Sequence, residues 1–97
     1  MTTLSTHVLL TSSGRPGAGI PVRLFRDGTV IAEQATDDDG RASLGEVGQG
    51  LHQLSFDTSS YSDFFPSVEI AFVVADDRHH HVPLLLSPFS YSTYRGS

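Results

Sequence analysis

Apolar residues recur at every second position through much of the chain, the pattern of strands half buried in a sheet. In Ile20-Pro21-Val22-Arg23-Leu24-Phe25-Arg26, Ile20, Val22 and Leu24 point one way and Arg23 the other. Asp27-Gly28 then reads as a hairpin turn, with Thr29 to Glu33 as the returning strand. His52, Leu54 and Phe56 share one face of a later strand. The clearest alternation sets Val68, Ile70, Phe72 and Val74 against Glu69 and Ala71.

Polar signals punctuate these strands. Asp37-Asp38-Asp39-Gly40 predicts a turn, because Asp bonds its own backbone and Gly tolerates positive φ. Asp57-Thr58 reads as the N-cap of a short helix over residues 59–65, ended by Pro66. Asp76-Asp77 marks another turn, and Pro83, lacking an amide donor, predicts an edge or a bulge in the strand that follows. The segment Tyr91 to Ser97 is aromatic and hydroxyl-rich, which predicts a packed strand with Tyr91 and Thr93 on one face and Ser92 and Tyr94 on the other. Seven or eight short strands and one short helix result, as a single domain over residues 1–97. A β-sandwich accommodates that series better than a barrel.

Composition narrows the possible functions. Eleven acidic residues against six basic ones give a net charge of -5, which argues against a nucleic-acid surface. No cationic leader precedes an apolar stretch and no apolar run reaches membrane-spanning length, so a soluble cytoplasmic protein is expected. There is no cysteine to form a disulfide. A chain of this size buries only about 60–65% of its unfolded surface, which makes oligomerisation a useful further source of stability.

Candidate chemistry centres on five histidines. His79 and His81 lie two apart, so a strand aims both to one face and His80 to the other. With His7 they offer three nitrogen ligands for zinc, but no Cys completes a familiar set, and histidines without a metal are the favoured reading. Placing Gly40 sixth in a calcium loop aligns Asp37, Asp39 and Glu46 with ligand positions, yet the first falls on Ala35 and strand patterns flank the segment. His52 reads as structural. Arg41 offers a planar fork to an oxygen-rich ligand, although local sequence alone favours an exposed arginine beside aspartates. Ser97 either orients water or substrate or frays; nothing adjacent marks it as a covalent nucleophile.

Taken together, Leu4-Ser5-Thr6-His7-Val8-Leu9, Asp39-Gly40-Arg41, His81-Val82-Pro83-Leu84-Leu85-Leu86-Ser87-Pro88 and the ending Tyr94-Arg95-Gly96-Ser97 resemble the 5-hydroxyisourate hydrolase family of transthyretin-like enzymes. The resemblance extends through Gly14-Arg15-Pro16, Gly19-Ile20-Pro21-Val22 and Phe64-Phe65-Pro66. It implies an all-β, transthyretin-like sandwich of two four-stranded antiparallel sheets with one short helix. A homotetramer with active sites at the interface between dimers is implied as well. The implied reaction opens the six-membered ring of 5-hydroxyisourate by hydrolysis, giving 2-oxo-4-hydroxy-4-carboxy-5-ureidoimidazoline, with no metal or organic cofactor.

By the same resemblance His7, Arg41, His81 and Ser97 are catalytic, and Tyr94 and Arg95 join His7, Arg41 and Ser97 in binding substrate. His79 has a frequent family counterpart. Two positions depart from the family pattern: Leu10 stands where Asp is common, and His80 where an aromatic is common. An acid missing beside His7 is expected to remove a partner that orients its ring. The alternative function is a non-catalytic binding protein of the same fold, carrying an aromatic ligand.

Overall fold

A computed structural model describes residues 2–96; Met1 and Ser97 lie outside it. Ten strand segments follow one another: β1 (Thr2–Leu10), β2 (Arg15–Pro16), β3 (Pro21–Arg26), β4 (Thr29–Ala35), β5 (Arg41–Val47), β6 (Gly50–Asp57), β7 (Ser67–Val74), β8 (His80–His81), β9 (Leu84–Leu86) and β10 (Tyr91–Thr93). They form two sheets.

One sheet is antiparallel throughout, in the order β4-β3-β6-β7. Its β3–β4 hairpin pairs Arg26 with Thr29, leaving the two-residue turn read from the sequence. Asp27 and Gly28 both take positive φ, 52° and 77°, the geometry that matches a tight hairpin to strand twist. Leu24, Leu54 and Phe56 are fully buried beneath this sheet, while Val22, Val68 and Val74 are each 1% exposed.

The other sheet is organised around β1. Along one edge of β1 run β5, antiparallel over Thr2 to His7, and then β2, opposite Leu9 and Leu10. Along the opposite edge run β8 and β9, both parallel to β1, with Leu4 facing His80 and Val8 facing Leu84. β10 closes that side antiparallel to β9. Six segments therefore occupy four strand positions, and the parallel pairing of β1 with β8 and β9 departs from a purely antiparallel plan. The break between β8 and β9 falls at Val82-Pro83, as the missing Pro83 amide predicts.

No helix forms over residues 59–65. The Thr58 carbonyl accepts from the amides of Tyr61 and Ser62, both at 2.9 Å, which makes one turn and no more. Side chains take the next backbone groups instead. Ser62 Oγ accepts from the Phe65 amide at 3.0 Å, and the Asp57 carboxylate accepts from the Ser59 amide at 3.1 Å. This is the competition by which Ser and Asp disfavour helix interiors.

The terminal strand is less covered than its pattern predicts. Tyr91 and Tyr94 are 42% and 57% exposed, although Tyr91 packs edge-on against Phe65 at 5.1 Å. Thr93 Oγ1 donates to the Pro83 carbonyl at 2.8 Å, tying β10 to the strand beside it.

Candidate active site

Alternation along β1 buries Thr2, Leu4, Thr6 and Val8 and turns Thr3, Ser5, His7 and Leu9 outward. The same parity on its neighbours brings further functional groups to this outer face. Arg41, the first residue of β5, is the cross-strand partner of His7, and His81 on β8 is the partner of Ser5. Three residues far apart in sequence thus converge on three adjacent strands.

The Asp37–Gly40 turn sets two of them. Asp37 Oδ1 accepts from the amides of Asp39 and Arg41, both at 2.9 Å, and Gly40 supplies the positive φ, 77°, that reverses the chain. The Gly40 carbonyl takes the Val8 amide at 2.8 Å, locking the turn against β1. This leaves the Asp39 carbonyl 3.0 Å from His7 Nε2. A carbonyl only accepts, so Nε2 carries the ring proton and Nδ1 keeps the lone pair. His7, Leu9, Pro16, Asp39 and Arg41 line an open depression of about 630 Å³.

His81 is held from two sides. Its Nδ1 lies 2.8 Å from Ser5 Oγ, and its carbonyl accepts from the Gly96 amide at 2.7 Å. Gly96 lies so close that a β-carbon there would come 2.6 Å from His81 Cδ2. Partial burial, followed by the nearby His7, His79 and Arg41, pushes the His81 pKa below its ordinary value of 6.5. The result is a neutral imidazole in an electropositive setting, on a chain whose net charge is -5. Such a group accepts a proton from water near neutral pH, while Arg41 draws negative charge to the site.

The other expected residues distribute as follows. Tyr94 and Arg95 line a separate groove of about 290 Å³ with Ile70, Phe72, His80 and Val82, and Arg95 Nη2 sits 3.4 Å from Asp76 Oδ2. Within one chain they do not face the His7–Arg41 depression. Ser97 lies outside the described residues. His79 joins the outer face, with Nε2 2.8 Å from Ser5 Oγ and Nδ1 2.6 Å from Thr3 Oγ1. His80 points inward and is 3% exposed, its Nδ1 2.8 Å from the Arg78 carbonyl.

Leu10 has the opposite parity to His7 and pairs with Arg15 and Leu86, so it does not flank the His7 ring. The group that orients His7 is the Asp39 main chain. His52 is 1% exposed, stacks on Phe72 at 5.8 Å and turns Nδ1 to the Gly50 carbonyl, a structural role. Among the described residues no group of three or more His, Cys, Asp and Glu side chains is arranged to hold a metal ion. Sequence reasoning passed over Ser5 and Thr3, although their even spacing from His7 puts them on its face.

The HIUase/Transthyretin family signature matches residues 4–96. The 5-hydroxyisourate hydrolase of Caulobacter vibrioides is 45% identical over 115 aligned positions that cover the whole of both chains. The Arabidopsis thaliana uric acid degradation bifunctional protein TTL is 41% identical over 97% of this chain, which spans 37% of that protein. Among solved structures, 5-hydroxyisourate hydrolase of Klebsiella pneumoniae superimposes with a TM-score of 0.90 at 37% identity, with full coverage of both chains.

Proposed function

From its membership of the HIUase/Transthyretin family, we propose that this chain hydrolyses 5-hydroxyisourate to 2-oxo-4-hydroxy-4-carboxy-5-ureidoimidazoline, in urate degradation. The observation that carries the reading is the convergence of His7, Arg41 and His81 on one sheet face, from three separated motifs.

In the proposed step a histidine takes a proton from water as its oxygen attacks the ring carbonyl. Arg41 stabilises the negative charge that develops on the carbonyl oxygen, a role for a donor fixed in place before the reaction. As the tetrahedral centre collapses, the carbon–nitrogen bond of the ring breaks and a proton passes to the departing nitrogen. Side chains and water suffice, and turnover of metal-free protein in the presence of a chelator checks this.

Tyr94, Arg95 and Ser97 are proposed substrate-binding groups, with Ser97 also orienting water. A homotetramer with active sites between dimers is the proposed assembly. The open, solvent-facing form of the His7–Arg41 depression supports it. Exposed Tyr91 and Val73 on the outermost strands of the two sheets, and exposed Tyr94 just after β10, support it too. No helix among the described residues is long and apolar enough to cross a membrane. A cytoplasmic, single-domain enzyme is the proposed setting.

Spectrophotometry with freshly generated 5-hydroxyisourate, corrected for spontaneous decay, tests the reading. Acceleration by the wild type, and a large but incomplete drop in Arg41→Gln, are expected. A wild type that binds aromatic ligands without accelerating decay would instead identify a transthyretin-like carrier.

A further inference from the structure

Ser5 Oγ stands 2.8 Å from His81 Nδ1 and 2.8 Å from His79 Nε2, and His79 Nδ1 stands 2.6 Å from Thr3 Oγ1. These four side chains form a continuous line of hydrogen bonds along the outer face. A hydroxyl has one proton and two lone pairs, so Ser5 donates to at most one imidazole and accepts from at least one. With neutral rings three arrangements satisfy every contact. In the first, His81 Nδ1–H donates to Ser5, Ser5 donates to His79 Nε2, and His79 Nδ1–H donates to Thr3. In the second, Ser5 accepts from both His81 Nδ1–H and His79 Nε2–H, and Thr3 donates to His79 Nδ1. In the third, each bond of the first runs the other way, and His81 carries its proton on Nε2.

Two of the three arrangements put the His81 proton on Nδ1, and only these leave Nε2, the ring nitrogen that Ser5 does not engage, with its lone pair. We infer that Ser5, backed by His79, is a positioning residue that holds His81 protonated on Nδ1, leaving Nε2 as the proton acceptor. The pairing of β1 with β8 sets this up, because it makes Ser5 and His81 direct cross-strand partners. Ser5 does not touch the reacting atoms. It acts by fixing the tautomer and ring plane, as outer partners of functional histidines do.

The pair also assigns chemistry. His81, with Nε2 unprotonated, takes the proton from water. His7, whose Nδ1 holds the lone pair, is free to carry a proton to the departing ring nitrogen once protonated there. The kinetic side of this inference rests on the proposed hydrolase function, whereas the tautomer stands independently of it.

The test uses full-length protein with 15N-labelled histidine. Two-dimensional nitrogen spectra are expected to show His81 in the Nδ1–H form above neutral pH, and Ser5→Ala is expected to convert it to an averaging mixture. Turnover of Ser5→Ala is expected to fall about ten-fold with KM little changed, in the range found for loss of such partners. Ser5→Thr, which restores the hydroxyl, is expected to recover both signals. His79→Ala, at an exposed position, is expected to weaken the tautomer preference in the same sense while circular dichroism stays that of the wild type. A wild-type His81 protonated on Nε2, or a tautomer unchanged in both Ser5→Ala and His79→Ala, overturns the inference. An inactive wild type would sink the hydrolase reading alone, since the nitrogen spectra decide the tautomer either way.

Discussion

His7 and Arg41 face each other across the β1–β5 ladder, and a single turn determines the position of both. Asp37 caps the amide of Arg41, while Asp39, two residues later in that turn, supplies the carbonyl that takes the His7 Nε2 proton. The ring and the cation to which the proposed reaction assigns proton transfer and charge stabilisation are therefore fixed by one loop.

Replacing Gly40 with Ala tests that dependence. A β-carbon there would lie 2.5 Å from the Val8 carbonyl oxygen and 3.1 Å from the Gly17 nitrogen, at a φ of 77°. Strain and crowding together are expected to cost about 2–4 kcal/mol. Urea unfolding of Gly40→Ala reads the loss, and a midpoint equal to that of the wild type would show that the turn relaxes freely.

His81→Asn keeps the size and polarity of the side chain but removes the proton acceptor. Turnover is expected to fall by about 10²–10⁴. Circular dichroism and gel filtration should match the wild type, because His81 is only partly buried on an outer face. Wild-type turnover in this variant would remove His81 from the mechanism.

The pH profile carries a sign. Burial, then His7, His79 and Arg41, lower the His81 pKa below 6.5, so the neutral base survives into mildly acidic solution. The acid limb of kcat/KM is expected below 6.5, and in Arg41→Gln, with one cation gone, it should move to higher pH while overall activity drops. Stability follows the same linkage: the unfolded chain binds the proton more readily. The contribution of His81 is therefore whole above 6.5 and is lost as pH falls from there through the lower folded-state pKa. A limb that stays put in Arg41→Gln would separate the two residues electrostatically.

Gly96→Ala probes the other side of the His81 ring. The added carbon would meet Cδ2 at 2.6 Å, so the ring must shift. Turnover is expected to fall about ten- to hundred-fold, the cost of a misplacement near 1 Å, with little change in thermal midpoint. A structure of the variant with the His81 ring unmoved would contradict this.

Asp76 gives a second, separable pH effect. The Arg78 side chain and amide, with Arg95 beyond them, hold its pKa at about 2 against an ordinary 3.8. The stability it contributes is present above 3.8 and disappears as pH falls from there to about 2. Asp76→Asn should flatten acid unfolding in that window and free Arg95 from its ion pair.

Legibility in the sequence followed the physics of each element. Strand faces such as Val22 with Leu24, or Leu54 with Phe56, were readable because a period of two reports burial directly. The parallel run of β8 and β9 beside β1 was not, since alternation says which face is buried and nothing about the direction of the neighbour. The helix expected over residues 59–65 was lost to serine and aspartate side chains that took the backbone bonds themselves.

At the site, the family motifs singled out His7, Arg41 and His81, and sheet register explains why they meet. The partner of His7 had no signature, because a main-chain carbonyl belongs to every residue. Leu10 attracted attention as a missing acid, yet strand parity turns it away from His7. Ser5 was readable by parity alone, but nothing distinguishes it from any other serine until His79 and His81 arrive on either side.

The pairing of β1 with β8 and β9 also fixes when the site is assembled. Residues 4–10 lie beside residues 80–86, so most of the chain must leave the ribosome before His7 and His81 become neighbours. Closing so long a loop is slow and is rewarded only at the end. The β4-β3-β6-β7 sheet draws all its strands from residues 21–74, where two hairpins bring neighbours together over short stretches of chain. The face that carries His7 and His81 therefore depends on a longer loop closure than any in the opposite sheet.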